Sequence, residues 1–246
     1  MPTLKNPSIQ LFGNPHGIAQ AAADLVIDLV RLSASHRENF HWVLSGGSTP
    51  MMMFALLAQP EVRQRVPWSR VHVWWGDERC VPPADAESNY GQAYEALLRH
   101  VPIPPENIHR AKGELAPAAA CADYLDQLQA AGTPYFDLVM LGLGNDGHTA
   151  SLFPGQVNPL EQTQRIIAVT ADYAGRPANR VTLTPLAFNA SKRVVFLVAG
   201  GGKSQAVFDT VRGAHNPLAH PAQRIAPEYG GITWMLDDAA GMMLRV

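Results

Sequence analysis

The chain has 246 residues, of which 47% are hydrophobic and 16% are charged, and this balance excludes an intrinsically disordered chain. Its length allows one large α/β domain or two small ones. A formal net charge of −2 gives no long-range field that would attract nucleic acid or an anionic membrane, so we expect neither as a partner.

Short apolar runs alternate with longer helical patterns, which is typical of βαβ units around a mainly parallel sheet. In chain order we predict a helix over 17–32, a strand over 42–44, a helix over 50–57, a strand over 71–75, helices over 90–99 and 118–130, strands over 138–143, 165–170, 181–183 and 194–199, a helix over 203–211 and a strand over 232–236. The strands are apolar nearly throughout, so we expect most of them to be covered on both faces. No repeat or linker divides the sequence, and we expect a single α/β domain over residues 1–246.

Glycine-rich or polar segments follow four of the predicted strands, at residues 45–49, 76–79, 144–149 and 200–204. In an open α/β sheet the carboxyl ends of the strands form the ligand-binding crevice. These segments should therefore meet at one edge of the sheet, and their convergence favours an enzyme.

The first of these segments continues into a predicted helix as Ser-Gly-Gly-Ser-Thr-Pro. The amides of Gly46 and Gly47, the hydroxyls of Ser48 and Thr49 and the helix dipole could together hold a phosphate. The alternative is an ordinary strand-to-helix turn that Ser48 or Thr49 caps.

Residues 200–204, Gly-Gly-Gly-Lys-Ser, resemble part of a nucleotide-binding P-loop. A Walker A motif needs a glycine five positions before Gly202, where this chain has Leu197, so that motif is rejected. Lys203 at a helix start could still reach a phosphate. The alternative is a solvated lysine on a tight turn.

Residues 142–147 fit the dinucleotide-binding pattern GxGxxG after a strand. Asp146, however, would place a carboxylate where a pyrophosphate should bind. Pro154 and Gly155 follow so soon that little helix can form to supply a dipole. We therefore expect no nicotinamide cofactor.

His148 follows Asp146 on the same glycine-flanked loop. A histidine at the carboxyl end of a strand is well placed for proton transfer near neutral pH. The alternative is a structural histidine bonded to backbone, which is the usual role of a lone histidine.

Asp77, Glu78 and Arg79 end another predicted strand. They could be an orienting carboxylate and a guanidinium that binds an oxyanion, or merely a solvated turn. Ser88 and Asn89 are predicted to cap the next helix.

Other catalytic and metal-binding patterns fail. There is no GxSxG nucleophile elbow, and the nine histidines show no HExxH or paired spacing. We expect neither a metal ion nor a cofactor.

Taken together, these segments resemble the 6-phosphogluconolactonase family nearly end to end. The resemblance is carried by SGGSTP, GDERCVP with ESNY, LGLGNDGHTASLFPG, NRVTLT at 179–184, GGGKSQA and the closing WMLD. It implies a modified Rossmann-like fold, and it implies that Arg180 faces the substrate. The sister family of glucosamine-6-phosphate deaminases shares several of these features.

Two positions favour the lactonase over the deaminase. The deaminase pattern has a glutamate five positions after its histidine, where this chain has Phe153. It also has an aromatic residue after its Asp-Glu pair, where this chain has Arg79. A phenylalanine can accept neither a proton nor a hydrogen bond.

The resulting hypothesis is hydrolysis of a phosphorylated sugar lactone. Ser48, Thr49, the Gly46 and Gly47 amides, Lys203 and Arg180 would hold the phosphate, and His148 would be the general base. Asp77 or Asp146 would orient the imidazole or the water, and Arg79 or loop amides would stabilise the oxyanion. A deaminase or isomerase, a sugar-phosphate sensor and a nicotinamide enzyme remain alternatives.

Cys80 and Cys121 lie far apart in the sequence and outside any CxxC spacing, as expected of reduced thiols in a cytosolic protein. The first twelve residues contain no apolar run long enough for a signal peptide. We expect a cytoplasmic monomer or weak homodimer, in which residues 213–228 form a long mobile loop.

Overall fold

The computed structural model describes residues 7–245, which contain seven α-helices and nine β-strands. The helices are α1 Pro15–Ser35, α2 Ser48–Leu57, α3 Pro60–Arg63, α4 Asn89–Ala96, α5 Pro117–Ala130, α6 Pro185–Phe188 and α7 Ser204–Val211. The strands are β1 Ser8–Phe12, β2 Phe40–Leu44, β3 Val71–Trp75, β4 Asp77–Arg79, β5 Leu138–Leu141, β6 Ile166–Thr170, β7 Asn179–Leu183, β8 Arg193–Val198 and β9 Gly231–Asp237.

Six strands form a parallel sheet in the order β1-β9-β8-β5-β2-β3. The predicted mainly parallel α/β fold is thereby confirmed. The chain passes from β2 to its neighbour β3 and then returns with β5 on the other side of β2. The strand order therefore changes direction between β2 and β5, and such a switch point opens a crevice outside the carboxyl ends of the strands.

Alternate side chains of the central strands enter two separate cores, because successive residues of a strand point to opposite faces. On β2, Trp42 and Leu44 pack under α1, α2 and α4, whereas Val43 packs on the opposite face under α5 and α7. All three side chains are buried. Coverage on both faces explains why these strands read as continuous apolar runs.

A second, three-stranded antiparallel sheet has the order β4-β7-β6. The strands predicted at 165–170 and 181–183 therefore exist but do not belong to the parallel sheet. A short apolar run indicates a buried strand without indicating its partner. Strand β4 was not predicted, because it consists of the charged residues Asp77, Glu78 and Arg79.

Other differences from the prediction lie at element ends. Strand β1 was missed, and it is a half-exposed edge strand beside β9. The helix predicted to reach residue 99 ends at Ala96 and is followed by a separate 3-10 turn, Leu98–His100. The predicted loop 213–228 contains one 3-10 turn, Pro221–Arg224. Within residues 7–245 no helix is long and apolar enough to cross a membrane.

Candidate active site

A cleft of about 270 Å³ opens at the carboxyl edge of the parallel sheet, above the switch point between β2 and β5. The loops after β2, β3, β5 and β8 all contribute to its lining. The prediction that the four glycine-rich or polar segments meet at one edge is confirmed.

The loop after β2 brings a helix N-terminus to the cleft. Gly47 has a φ of 108°, a backbone conformation that side-chain-bearing residues rarely adopt, and α2 begins directly after it at Ser48. The side chain of Ser48 is exposed, whereas Thr49 is buried beneath it. Because the first N–H groups of a helix lack partners within the helix, this turn offers donors to an anion.

Lys203 faces the same space from the loop after β8. The Asp237 carboxylate at the end of β9 accepts hydrogen bonds from the backbone N–H of Gly200, at 3.0 Å, and of Ala240, at 2.7 Å. This ties the Lys203 loop to the sheet just before α7 begins. Lys203 forms no ion pair with any residue in the part of the chain that the structure describes, and burial lowers its pKa.

His148 and Asp146 form a hydrogen-bonded pair on the loop after β5. Nδ1 of His148 lies 2.6 Å from Oδ1 of Asp146, and the same oxygen accepts the backbone N–H of His148 at 3.1 Å. A Cβ at Gly144 would overlap both side chains, so this arrangement of the pair requires glycine there. Partial burial acts to raise the pKa of Asp146, but the His148 ring outweighs it and the pKa is lowered.

Two aromatic rings enclose the imidazole of His148. Phe153 stacks on it with a centroid separation of 4.9 Å, and Tyr173 meets it edge-on at 4.6 Å. The side chain of His148 is consequently only 15% exposed to solvent. Phe153 occupies the position at which a deaminase would carry a glutamate, and it offers His148 an apolar ring face.

Asp77 lies on β4 and bonds to residues other than His148 and Asp146. Its Oδ2 accepts the hydroxyl hydrogen of Ser151 at 2.8 Å, and its backbone carbonyl accepts the amide of Asn89 at 2.8 Å. Asp77 still lines the cleft. Of the two carboxylates predicted to orient the imidazole or the water, the structure places Asp146 in contact with the imidazole.

Glu78 points away from the cleft and caps α4. Its carboxylate accepts the backbone N–H groups of Arg79, Asn89 and Tyr90 at 2.7–2.8 Å and the Ser88 hydroxyl at 3.2 Å. Burial raises its pKa to about 7, against the lowering effect of the three N–H groups. The predicted cap by Ser88 is present as well, since its hydroxyl oxygen accepts the Gly91 N–H.

Three arginines surround the outer part of the cleft. Arg79 and Arg176 both contact Glu87, with Nη1–Oε2 distances of 3.3 Å and 3.1 Å. Arg180 is only 2% exposed, and burial lowers its pKa. Its Nη2 has no hydrogen-bond partner within the described residues, so this guanidinium retains a donor for a ligand.

The family model for glucosamine-6-phosphate isomerases/6-phosphogluconolactonase matches residues 13–234, which is most of the chain. The chain belongs to this family.

Relatives within the family are similar over nearly their whole length. A 6-phosphogluconolactonase of Haemophilus influenzae is 37% identical over 227 residues, which make up 92% of this chain and 97% of that protein. One from Nostoc is 36% identical, with 97% and 99% of the two chains covered. The crystal structure of devB protein is 36% identical, has a TM-score of 0.88, and covers 96% and 99% of the two chains.

The cleft brings together all ten predicted residues. Nine of them line the cleft: Gly46, Gly47, Ser48, Thr49, Asp77, Arg79, His148, Arg180 and Lys203. The tenth, Asp146, is bonded to His148. Sequence reasoning missed Tyr173 and Arg176, which also line the cleft. They lie on the connection between β6 and β7, and only the unpredicted antiparallel sheet carries that connection to the site.

Proposed function

We propose that this chain hydrolyses 6-phospho-D-glucono-1,5-lactone to 6-phospho-D-gluconate, a reaction of the oxidative pentose phosphate pathway. The observation that carries the proposal is the Asp146–His148 pair in a cleft that also presents Lys203 and Arg180. A base beside phosphate-binding cations is what a phosphorylated lactone requires. The relatives named 6-phosphogluconolactonase support the same reaction.

His148 acts as the general base. Because the Asp146 carboxylate is an acceptor, it favours the tautomer with the proton on Nδ1 and leaves Nε2 to take a proton from water. That water attacks the lactone carbonyl and forms a tetrahedral oxyanion. When the intermediate collapses, the bond to the ring oxygen breaks, and the imidazolium gives its proton to that oxygen.

The remaining residues bind and polarise the substrate. The amides of Gly46 and Gly47, the hydroxyls of Ser48 and Thr49, and the side chains of Lys203 and Arg180 hold the phosphate. Asp77 orients the attacking water, since Ser151 and Asn89 keep it fixed in the cleft. Arg79 stabilises the oxyanion.

No metal or cofactor enters this reaction, because a lactone is an activated ester that water and a general base can open. We further propose that the chain works as a single domain, in the cytoplasm, and as a monomer or weak homodimer. The two widely spaced cysteines, which form no disulfide within the described residues, support the cytoplasmic setting.

The test is hydrolysis of freshly generated 6-phosphoglucono-δ-lactone, measured against a no-enzyme blank because the lactone opens spontaneously. We expect strong acceleration with this substrate and little with unphosphorylated gluconolactone, which lacks the anchoring phosphate. Ammonia release from glucosamine 6-phosphate without lactone hydrolysis would instead identify a deaminase.

A further inference from the structure

Phe153 contacts two of the charged groups that the proposed reaction uses. Its ring stacks on the imidazole of His148 with centroids 4.9 Å apart and an interplanar angle of 29°. The same ring lies 5.3 Å from the guanidinium carbon of Arg180. One aromatic side chain therefore touches both the general base and a substrate-binding cation.

We propose that Phe153 is a positioning residue for lactone hydrolysis, whose ring fixes His148 and Arg180 relative to each other. This inference rests on the proposed function of the cleft. Phe153 itself donates and accepts no proton, and it acts through the two groups that it supports.

The backbone around Phe153 holds the ring in place. Thr149 and Leu152 form an antiparallel bridge, with a 2.9 Å bond from the Leu152 N–H to the Thr149 carbonyl, and Ala150 within it has a φ of 49°. The Leu152 side chain is fully buried beside this turn. Phe153 follows the anchored turn directly, so its direction is set by the loop that also carries His148.

The ring matters most when His148 is charged. Attack by water converts the imidazole to an imidazolium, and an aromatic face attracts a cation that lies within about 6 Å of its centroid. Asp146 on Nδ1, Tyr173 at the ring edge and Arg180 across the Phe153 ring also lie around this imidazole, and Lys203 faces the Asp146 carboxylate. Phe153 thus stabilises the protonated form while blocking rotation of the imidazole away from Asp146.

The test compares Phe153→Leu, which keeps an apolar side chain but removes the ring, with Phe153→Tyr, which keeps the ring. We expect kcat of Phe153→Leu to fall by about tenfold, because the imidazole of His148 is no longer held in its orientation towards the attacking water. KM should rise by a smaller factor, because Arg180 then lacks the ring that supports it. Phe153→Tyr should restore most of kcat.

Phe208→Leu on α7 is the matched control, because Phe208 is also half-buried but, unlike Phe153, does not stack on His148 or lie over Arg180. It should leave kcat, KM and the His148 ring-proton shifts unchanged. Thermal unfolding of each variant separates a loss of positioning from a loss of folded protein.

The NMR chemical shifts of the His148 ring protons make the result independent of turnover. In Phe153→Leu we expect these shifts to change, because no aromatic ring then stacks on the imidazole, whereas Phe153→Tyr should keep them close to those of wild type. Unchanged shifts and unchanged kcat in Phe153→Leu, or a Phe153→Tyr variant as impaired as Phe153→Leu, would overturn the inference. A wild-type protein without lactonase activity would overturn the proposed function instead, and the NMR comparison would still decide whether Phe153 positions His148.

Discussion

The hydrogen bond between Asp146 and His148 decides which imidazole nitrogen can act as a base. Replacing Asp146 with Asn keeps the size of the side chain but can offer an N–H to Nδ1, which favours the wrong tautomer. We expect Asp146→Asn to lower kcat by about 10²–10⁴-fold with a small effect on KM. Steady-state kinetics on the phosphorylated lactone measure this, and an unchanged kcat would remove Asp146 from the mechanism.

Lys203 has a different role, since it lies half-buried in the cleft without an ion-pair partner among residues 7–245. We expect Lys203→Ala to raise KM by about tenfold or more with little change in kcat, because it removes binding that substrate and transition state share. Lys192→Ala is the control, because Lys192 precedes β8 at the opposite edge of the sheet. An unchanged KM in Lys203→Ala would place the phosphate elsewhere.

At the scale of elements, Glu78 joins β4 to the N-terminus of α4. Its carboxylate is the acceptor for the backbone N–H groups of Arg79, Asn89 and Tyr90. Glu78→Ala would leave these buried donors without partners, and we expect a loss of about 3 kcal/mol in the free energy of unfolding. Urea denaturation measures this. A loss below about 0.5 kcal/mol would mean that water replaces the carboxylate.

The strands that carry the site could be predicted from sequence, whereas the small sheet beside it could not. Long apolar runs such as β8 have few alternatives to a buried strand, and the glycine-rich loops after them mark the ligand edge. Strand β4 consists of three charged residues whose burial depends on partners distant in sequence, including Ser151 and Arg180. Local patterns carry no information about such partners.

The same limit applies to the candidate site. His148 and Lys203 were predicted because they lie on glycine-flanked loops at strand ends. The choice between Asp77 and Asp146 stayed open, because it depends on where Ser151 holds the Asp77 side chain and Asn89 holds its backbone carbonyl. Likewise, the stacking of Phe153 on His148 depends on the tight turn at residues 149–152.

At the scale of the whole molecule, the edge of the sheet opposite the cleft carries a cluster of three histidines. His41 on β2 and His72 on β3 pair in register and stack at 4.8 Å, and His72 Nδ1 lies 3.0 Å from His109 Nε2. Trp74 stacks on His109 at 3.9 Å. Burial, followed by the neighbouring histidines, lowers the pKa of His41 and of His109 to about 4.

This cluster predicts that acid destabilises the fold. A histidine whose pKa is lower in the folded state than the usual 6.5 contributes stability above pH 6.5, and that contribution is lost as the pH falls towards 4. Thermal unfolding between pH 7.5 and 4 should show a decline that is shallower in His109→Phe, which keeps the contact with Trp74. The exposed His16→Phe is the control. Equal slopes in wild type and His109→Phe would contradict the role of the cluster.

The central claim is that His148 is the general base for hydrolysis of a phosphorylated lactone. The most direct measurement compares wild type, His148→Ala and the exposed-residue control His16→Ala on fresh 6-phosphoglucono-δ-lactone, each corrected for spontaneous opening. We expect wild type and His16→Ala to accelerate hydrolysis equally and His148→Ala to lose about 10²–10⁴-fold in kcat while still binding product. A His148→Ala enzyme with nearly normal kcat would contradict the account.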